Sequence, residues 1–317
     1  MNNKNILLTF MVVILVLITG CANFVSVMPP DMDINNAKVV NQAIDLSQKD
    51  AQIAFFSTRP VKYLDKIISN TGFVFMMAND GSKMAYITGT FHSLESPISW
   101  SPDGQKFLAV TYNDDVSSYC ISLIEQNDTK CLIKDGNTPN WSPDGRKVAY
   151  YMPQNQAFHP TLNLLDMESG ASKLIVNLPD SKTPSSSTWS PDGNSLAYQV
   201  NNKTSTDKQI WIYSFLTAKE SFLTRGEMPV WSPKGNEIAF IRDGQLQLLN
   251  LSTKQETHLL DEFKDISWPA WSPDGEKLLF VSFDSGNGDI YYIERYSKKV
   301  VKLTNDNFSD EAPSWRP

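Results

Sequence analysis

Trp271-Ser272-Pro273-Asp274-Gly275 is one of four identical pentapeptides in this chain; the others begin at Trp100, Trp141 and Trp189. Trp231 opens a near copy, Trp-Ser-Pro-Lys-Gly, and Trp315-Arg316-Pro317 is a truncated one. Successive copies are 41, 48, 42, 40 and 44 residues apart. A Trp signature recurring every 40 to 50 residues marks a propeller blade of four strands. Within the pentapeptide, Pro presets φ at the second turn position, Asp tolerates the third and Gly suits the fourth. Lys234 replaces Asp in one copy, so the turn does not depend on a carboxylate. The Asp residues therefore read as turn chemistry, and the repeated Trp residues as packing between blades.

Around the pentapeptide the repeat reads as short strands. Lys277 to Ser282, Asp289 to Ile293 and Val300 to Thr304 are β-rich runs separated by turn residues such as Asp284-Ser285-Gly286-Asn287-Gly288. With the strand ending at each Trp called A, and the next three B, C and D, the first B-C-D set has no A strand before it. That set is Gln52 to Ser57, Phe73 to Met77 and Met84 to Ile87. The final A strand, Ala312 to Trp315, has nothing after it. Joining the two incomplete ends makes one blade and removes an open edge. The expected fold is all-β: a six-bladed propeller of four-stranded blades over 52–317, closed by the C-terminal strand in the first blade.

The N-terminus reads as a processing signal. Met1 to Asn5 is polar with one cation, Lys4, and Ile6 to Ile18 is almost wholly apolar. Thirteen residues fit a signal h-region and are too few to span a bilayer. The run ends at Ile18-Thr19-Gly20-Cys21. It resembles the lipobox of bacterial lipoproteins, which implies removal of residues 1–20 and a diacylated Cys21. The alternative is an ordinary signal or anchor with an incidental Cys. Residues 21–51 carry no repeat and read as a tether, in which Ala37 to Leu46 suits a short helix or an extra strand. No later segment reads as a membrane span that would pass on a signal. The expected location is lipid-anchored on the exported side of the cell membrane or outer membrane, periplasmic or extracellular.

Composition sets limits on function. Twenty-eight Lys and Arg against 35 Asp and Glu leave a net charge of −7. A mild acidic balance argues against nucleic acid and against adhesion to anionic lipid by charge. The chain has no Gly-x-Ser-x-Gly, His-Glu-x-x-His, P-loop or Gly-x-Gly-x-x-Gly motif. His92, His159 and His258 fall at different phases of the repeat and are not expected to converge. Asp284, Asn287 and Asp289 do not match calcium-loop spacing. No cofactor, no metal and no catalytic residue is assigned. Cys120 and Cys131 are placed on neighbouring strands. A hairpin turning at Glu125 to Asn127 sets them opposite each other, and an exported protein favours a disulfide. Two buried thiols on opposite faces are the other reading.

One constellation suggests binding. Glu95, Asp135, Glu227, Asp265, Asp310 and Glu311 precede the Trp by four to six residues, in the loops entering strand A. Equivalent phases place such loops around one mouth of the channel, where carboxylates would attract a cationic peptide or a metal ion. Alternatively, each acid caps the amides of its own turn.

The signature Pro-x-Trp-Ser-Pro-Asp-Gly, followed by strands like Glu237-Ile238-Ala239-Phe240, resembles the propeller of the TolB family. It is also similar to tricorn-type and dipeptidyl-peptidase-type propellers. The resemblance covers residues 52–317. It implies a periplasmic protein whose propeller face binds the peptidoglycan-associated lipoprotein. Two departures keep that partner from simple transfer: a tether stands in place of an N-terminal domain, and a lipobox is present. The hydrolase domain of the peptidase relatives is not expected, since the last blade is the last segment read. The expected function is a monomeric, membrane-tethered, non-enzymatic binding propeller for an envelope protein, peptide or glycan. The alternative is a metal-assisted lyase or lactonase at the channel mouth.

Overall fold

The computed structural model describes residues 52–59, 61–63, 66–68, 73–86, 97–113, 118–125, 128–153 and 159–317. Among them every regular element is a strand. They form six four-stranded antiparallel sheets and one extra hairpin. Blade 2 is Ser99–Trp100, Phe107–Asn113, Ser118–Glu125 and Asp128–Lys134, and blades 3 to 5 repeat that order to His258. Blade 6 is Ile266–Trp271, Lys277–Ser282, Asp289–Glu294 and Val300–Lys302. Blade 1 takes its inner strand, Asp310–Trp315, from the end of the sequence. That strand pairs with Ile53–Ser57, followed by Phe73–Met77 and Ala85–Tyr86. The ring is thus closed by the C-terminal strand in the first blade. The inner strands of successive blades pack side by side around the axis.

The hairpin, Val61–Tyr63 with Lys66–Ile68, was not read from the sequence. It is inserted between strands B and C of blade 1, where blades 4 to 6 have turns.

The pentapeptide builds the same turn each time. The Ser272 hydroxyl hydrogen-bonds Asp274 Oδ1 at 2.6 Å and accepts from Lys277 N at 2.9 Å. Asp274 Oδ1 also accepts from Glu276 N at 2.9 Å. Turns at Ser101, Ser142 and Ser190 repeat this pattern. These bonds, the serine hydroxyl's first, hold Asp103, Asp144, Asp192 and Asp274 below the usual carboxylate range. In the Lys234 copy the turn still closes, Gly235 N donating to Ser232 O at 2.8 Å. The Trp residues stitch blades together: Trp189 Nε1 donates to Asn140 O, and Trp271 Nε1 to Val230 O.

Cys120 and Cys131 are joined by a disulfide, with Cα atoms 5.5 Å apart. They are not directly opposite. The hairpin closes at Glu125 and Asp128, and a bulge after Ile121 sets Cys131 against Ser122 and Cys120 against Lys134. The bond is therefore diagonal. An offset of two along a strand keeps both side chains on one face.

Two measurements test this architecture. Trp315 is 8% exposed in the closing strand, so Trp315→Ala is expected to cost about 3–5 kcal/mol in urea unfolding. An unaltered midpoint would contradict closure by this strand. Ser272→Ala removes the main bond to Asp274 and is expected to raise that carboxyl's pKa, followed by NMR titration. A depressed carboxyl stabilises the fold above its unfolded pKa, and that contribution is lost as pH falls through the folded value. The variant should therefore lose less stability than the parent on acidification.

Candidate functional site

Alternation of antiparallel strands sorts the connections onto two faces. Links from A to B and from C to D lie on one face, the turn face. Links from B to C and from D to A lie on the other, the loop face. The hairpin and the acidic positions belong to the loop face.

The acids do not form a ring of equivalent carboxylates. Glu95 and the lipidation site Cys21 lie outside the described residues. Glu227, Asp310 and Glu311 sit inside the inner strands rather than in the loops before them. Glu227 and Glu311 stand four residues before their Trp and Asp310 five, and successive strand residues point to opposite faces. Asp310, five residues before Trp315, turns into the blade and is 0% exposed. Glu311, the next residue, accepts a hydrogen bond from Ser309 Oγ at 2.7 Å. Glu227 is ion-paired with Lys208. Asp135, at φ 58°, and Asp265 are exposed. Binding by a shared ring that includes Asp310 is thereby corrected: that carboxylate is internal and already neutralised.

Its partner is Arg59, 2% exposed, just past the B strand of blade 1. Arg59 Nη2 donates to Asp310 Oδ2 at 2.8 Å, and Nη1 also donates to Asp310. Nε and Nη2 donate to Asp306 at 3.0 and 2.7 Å, and Nη1 to Ser57 Oγ at 2.7 Å. The guanidinium carbon lies 5.8 to 5.9 Å from the ring centres of Phe55, Phe75 and Phe308. Burial pushes the Asp310 carboxyl up, and the bonds from Arg59 oppose that shift. Sequence reasoning missed this site because its members are 251 residues apart.

The inner strands share a second feature. Thr138, Met228, Trp268 and Ala312, each three residues before a repeated Trp, have φ between 46 and 56°. The register shifts there in each of those strands, as a bulge requires. Trp268 packs on the core shared by blades 1 and 2 and on that shared by blades 6 and 1.

A groove of about 1180 Å³ opens on the loop face at the junction of blades 4 and 5. Only Gly226 separates the outer strand of blade 4 from the inner strand of blade 5. A Cβ there would stand 2.5 Å from Phe240 and 2.8 Å from Ile241 O, so the close approach requires glycine. Arg242 spans the junction, donating to Glu256 at 2.7 and 2.9 Å and to Arg225 O at 2.8 and 3.0 Å. Its guanidinium holds Glu256 below the usual carboxylate range. Phe222, half exposed, supplies apolar surface. The groove offers paired charges and one aromatic ring, which suits a polar chain better than a point charge.

Among the described residues no three His, Cys, Asp or Glu side chains gather as a metal-binding group. His159 pairs with Asp180, and His258 with Asp261 at 3.2 Å, in different blades.

Fold and site define a six-bladed propeller with a channel-lining inner ring and a grooved loop face. Residues 199–299 match the family model of the dipeptidyl peptidase IV N-terminal region. The Tol-Pal system protein TolB of Ruthia magnifica subsp. Calyptogena magnifica is 36% identical over 83 residues, 25% of this chain and 20% of that protein. The match thus spans about a fifth of that relative's length. The structure of TolB from Acinetobacter baumannii superposes with a TM-score of 0.65 at 18% identity, covering 84% of this chain and 67% of that one. An oligogalacturonate lyase solved with manganese gives 0.52 at 14% identity, over 81% and 74%. The chain is a TolB-like six-bladed β-propeller.

Removing one member of a buried ion pair leaves the other uncompensated, at a typical cost of about 3–5 kcal/mol. Asp310→Ala is expected to lose that much in chemical unfolding, while Glu311→Gln stays within about 0.5 kcal/mol. Equal effects would remove the distinction between the two acids.

Proposed function

We propose that this is a membrane-tethered, non-enzymatic binding propeller of the bacterial cell envelope, presenting its loop face to a protein, peptide or glycan. The observation that carries the reading is Ile18-Thr19-Gly20-Cys21 standing ahead of a TolB-like ring. In this reading residues 1–20 are a signal peptide, Cys21 is lipidated and 21–51 are the tether. The similarity to a Tol-Pal system protein supports an envelope partner. The groove at blades 4 and 5, and exposed Asp135 and Asp265, supply recognition surface on the same face.

The likeness to a manganese-bound lyase supports a second reading, a metal-assisted lyase at the channel mouth. Metal analysis of the purified protein separates the two. A stoichiometric divalent ion would favour the lyase; its absence together with a captured partner would favour binding.

Cys21→Ser is expected to release the protein from the membrane or leave it unprocessed, read by fractionation and acyl labelling. Normal labelling and unchanged size would reject the anchor. Crosslinking from native envelopes is expected to capture a partner whose yield falls with Arg242→Ala, which opens the groove, and not with Lys299→Ala on the turn face.

A further inference from the structure

The turns joining strands C and D share one form in blades 3 to 6. Each places four residues, 167–170, 215–218, 251–254 and 295–298, between paired ends. The fourth place is left-handed in all of them, with φ of 70° at Gly170, 52° at Ala218, and 60° at both Lys254 and Lys298. Glycine fills such a place without strain, yet blades 5 and 6 put a lysine there. The second place holds Glu168, Leu216, Ser252 and Tyr296 in turn. Leu216 is 78% exposed and Tyr296 70%, more than any other large apolar side chain among the described residues. The two most exposed apolar groups thus occupy the same place in two turns of one face, on either side of blade 5.

Charge divides that face. The chain as a whole carries −7, so attraction to an anion has to be local. Around the tips of blades 4 to 6 the acids are engaged. Glu276 pairs with Lys234, Glu237 with Arg295, and Glu220 accepts from the Tyr198 hydroxyl. Lys234 and Arg295 each lie 5.6 Å from the centre of the Tyr296 ring. Lys219, Lys254, Lys298 and Lys299 are exposed and have no ion-pair partner among the described residues. Blade 3 has the opposite charge at its tip, Glu168, so the basic side of the face is that of blades 4 to 6.

Gln52, the first described residue, is on this same face, where its carbonyl accepts from Arg316 N at 2.7 Å. On the tethered reading above, on which this inference rests, the lipid at Cys21 holds this end of the propeller near the membrane. Residues 21–51 as a coil would reach about 30 Å. We propose that the turn tips of blades 4 to 6 dock on an anionic lipid surface. Leu216 and Tyr296 enter the headgroup layer, and the four unpaired lysines meet lipid phosphates. Tyr suits that boundary, with an apolar ring and a polar hydroxyl. Lysines near an anionic leaflet each add attraction. The loop face and its groove then point away from the membrane, open to a partner.

Single cysteines carrying a fluorophore, Leu216→Cys, Tyr296→Cys and Thr206→Cys on the loop face, report which side meets lipid. The full lipidated chain is placed on phosphatidylglycerol–phosphatidylethanolamine vesicles containing a nitroxide lipid. Probes at 216 and 296 are expected to be quenched, and the probe at 206 is not. Lys254→Glu with Lys298→Glu is expected to lower the ratio of docked to free protein about tenfold, with an unchanged melting temperature. Replacing phosphatidylglycerol by phosphatidylcholine should act in the same direction. Equal quenching at all three positions, none at any, or full quenching in the charge-reversed variant would overturn the docking. Protection of 216 and 296 in native envelopes without quenching on vesicles would replace lipid by a protein partner. The anchor is read separately, by flotation of Cys21→Ser. Flotation lost there, with parent probes at 216 and 296 unquenched, keeps the anchor and rejects the docking. Probes still quenched in Cys21→Ser keep the docking and reject the anchor.

Discussion

Arg59 and Asp310 hold the two ends of the sequence together, and the ring depends on that contact. The closing strand has no covalent continuity with the blade it completes, so its register must be set by side chains. Asp310 faces Ser57 across the strand pair, and Arg59 reaches both. A slip of one residue would turn Asp310 out of the blade and bring Glu311 in. Two buried charges are costly to desolvate, and hydrophobic replacements can be as stable. What this pair supplies here is a single permitted register. Three phenyl rings surround the guanidinium, and its two carboxylate partners, Asp310 and Asp306, both come from the C-terminal segment.

Elsewhere the ring is held by repetition. Each pentapeptide turn satisfies its own polar groups, so the blade edges need no help from neighbours. The Trp that precedes it is buried in blades 2 and 4 and partly buried in blades 3, 5 and 6, and in blades 4 and 6 it bonds to the blade before. The bulge three residues before the Trp lets the inner strand bend toward the axis. Function is then left to the connections, which differ from blade to blade. The junction at Gly226 and the hairpin of blade 1 are two such departures from the repeat, both on the loop face.

The architecture was legible because it is local and repeated. Trp spacing gave blade number, and the unmatched strands at the ends gave the closure. The first blade's strands at 53–57 and 73–77 fall within a residue of their expected bounds. The site was less legible. Distance from the Trp groups the acids but ignores strand alternation; Asp310 and Glu311 are neighbours with opposite surroundings. The Arg59 contact and the Arg242 junction join residues distant in sequence or in different blades, and no spacing rule reports those. The cysteine hairpin shows the limit of register arithmetic: one bulge moved the partners, although both remained on the same face.

Gln52 opens the central pair of strands in blade 1. The strand it leads, Ile53–Ser57, is bonded on one side to Asp310–Trp315 and on the other to Phe73–Met77. Any upstream segment therefore pulls along that strand's axis. Its hydrogen bonds run across the axis, so tension is shared by both rows at once in shear, instead of parting them one at a time as in peeling. A propeller towed by this end is gripped where it resists best, and the same load draws on the strand that seals the ring.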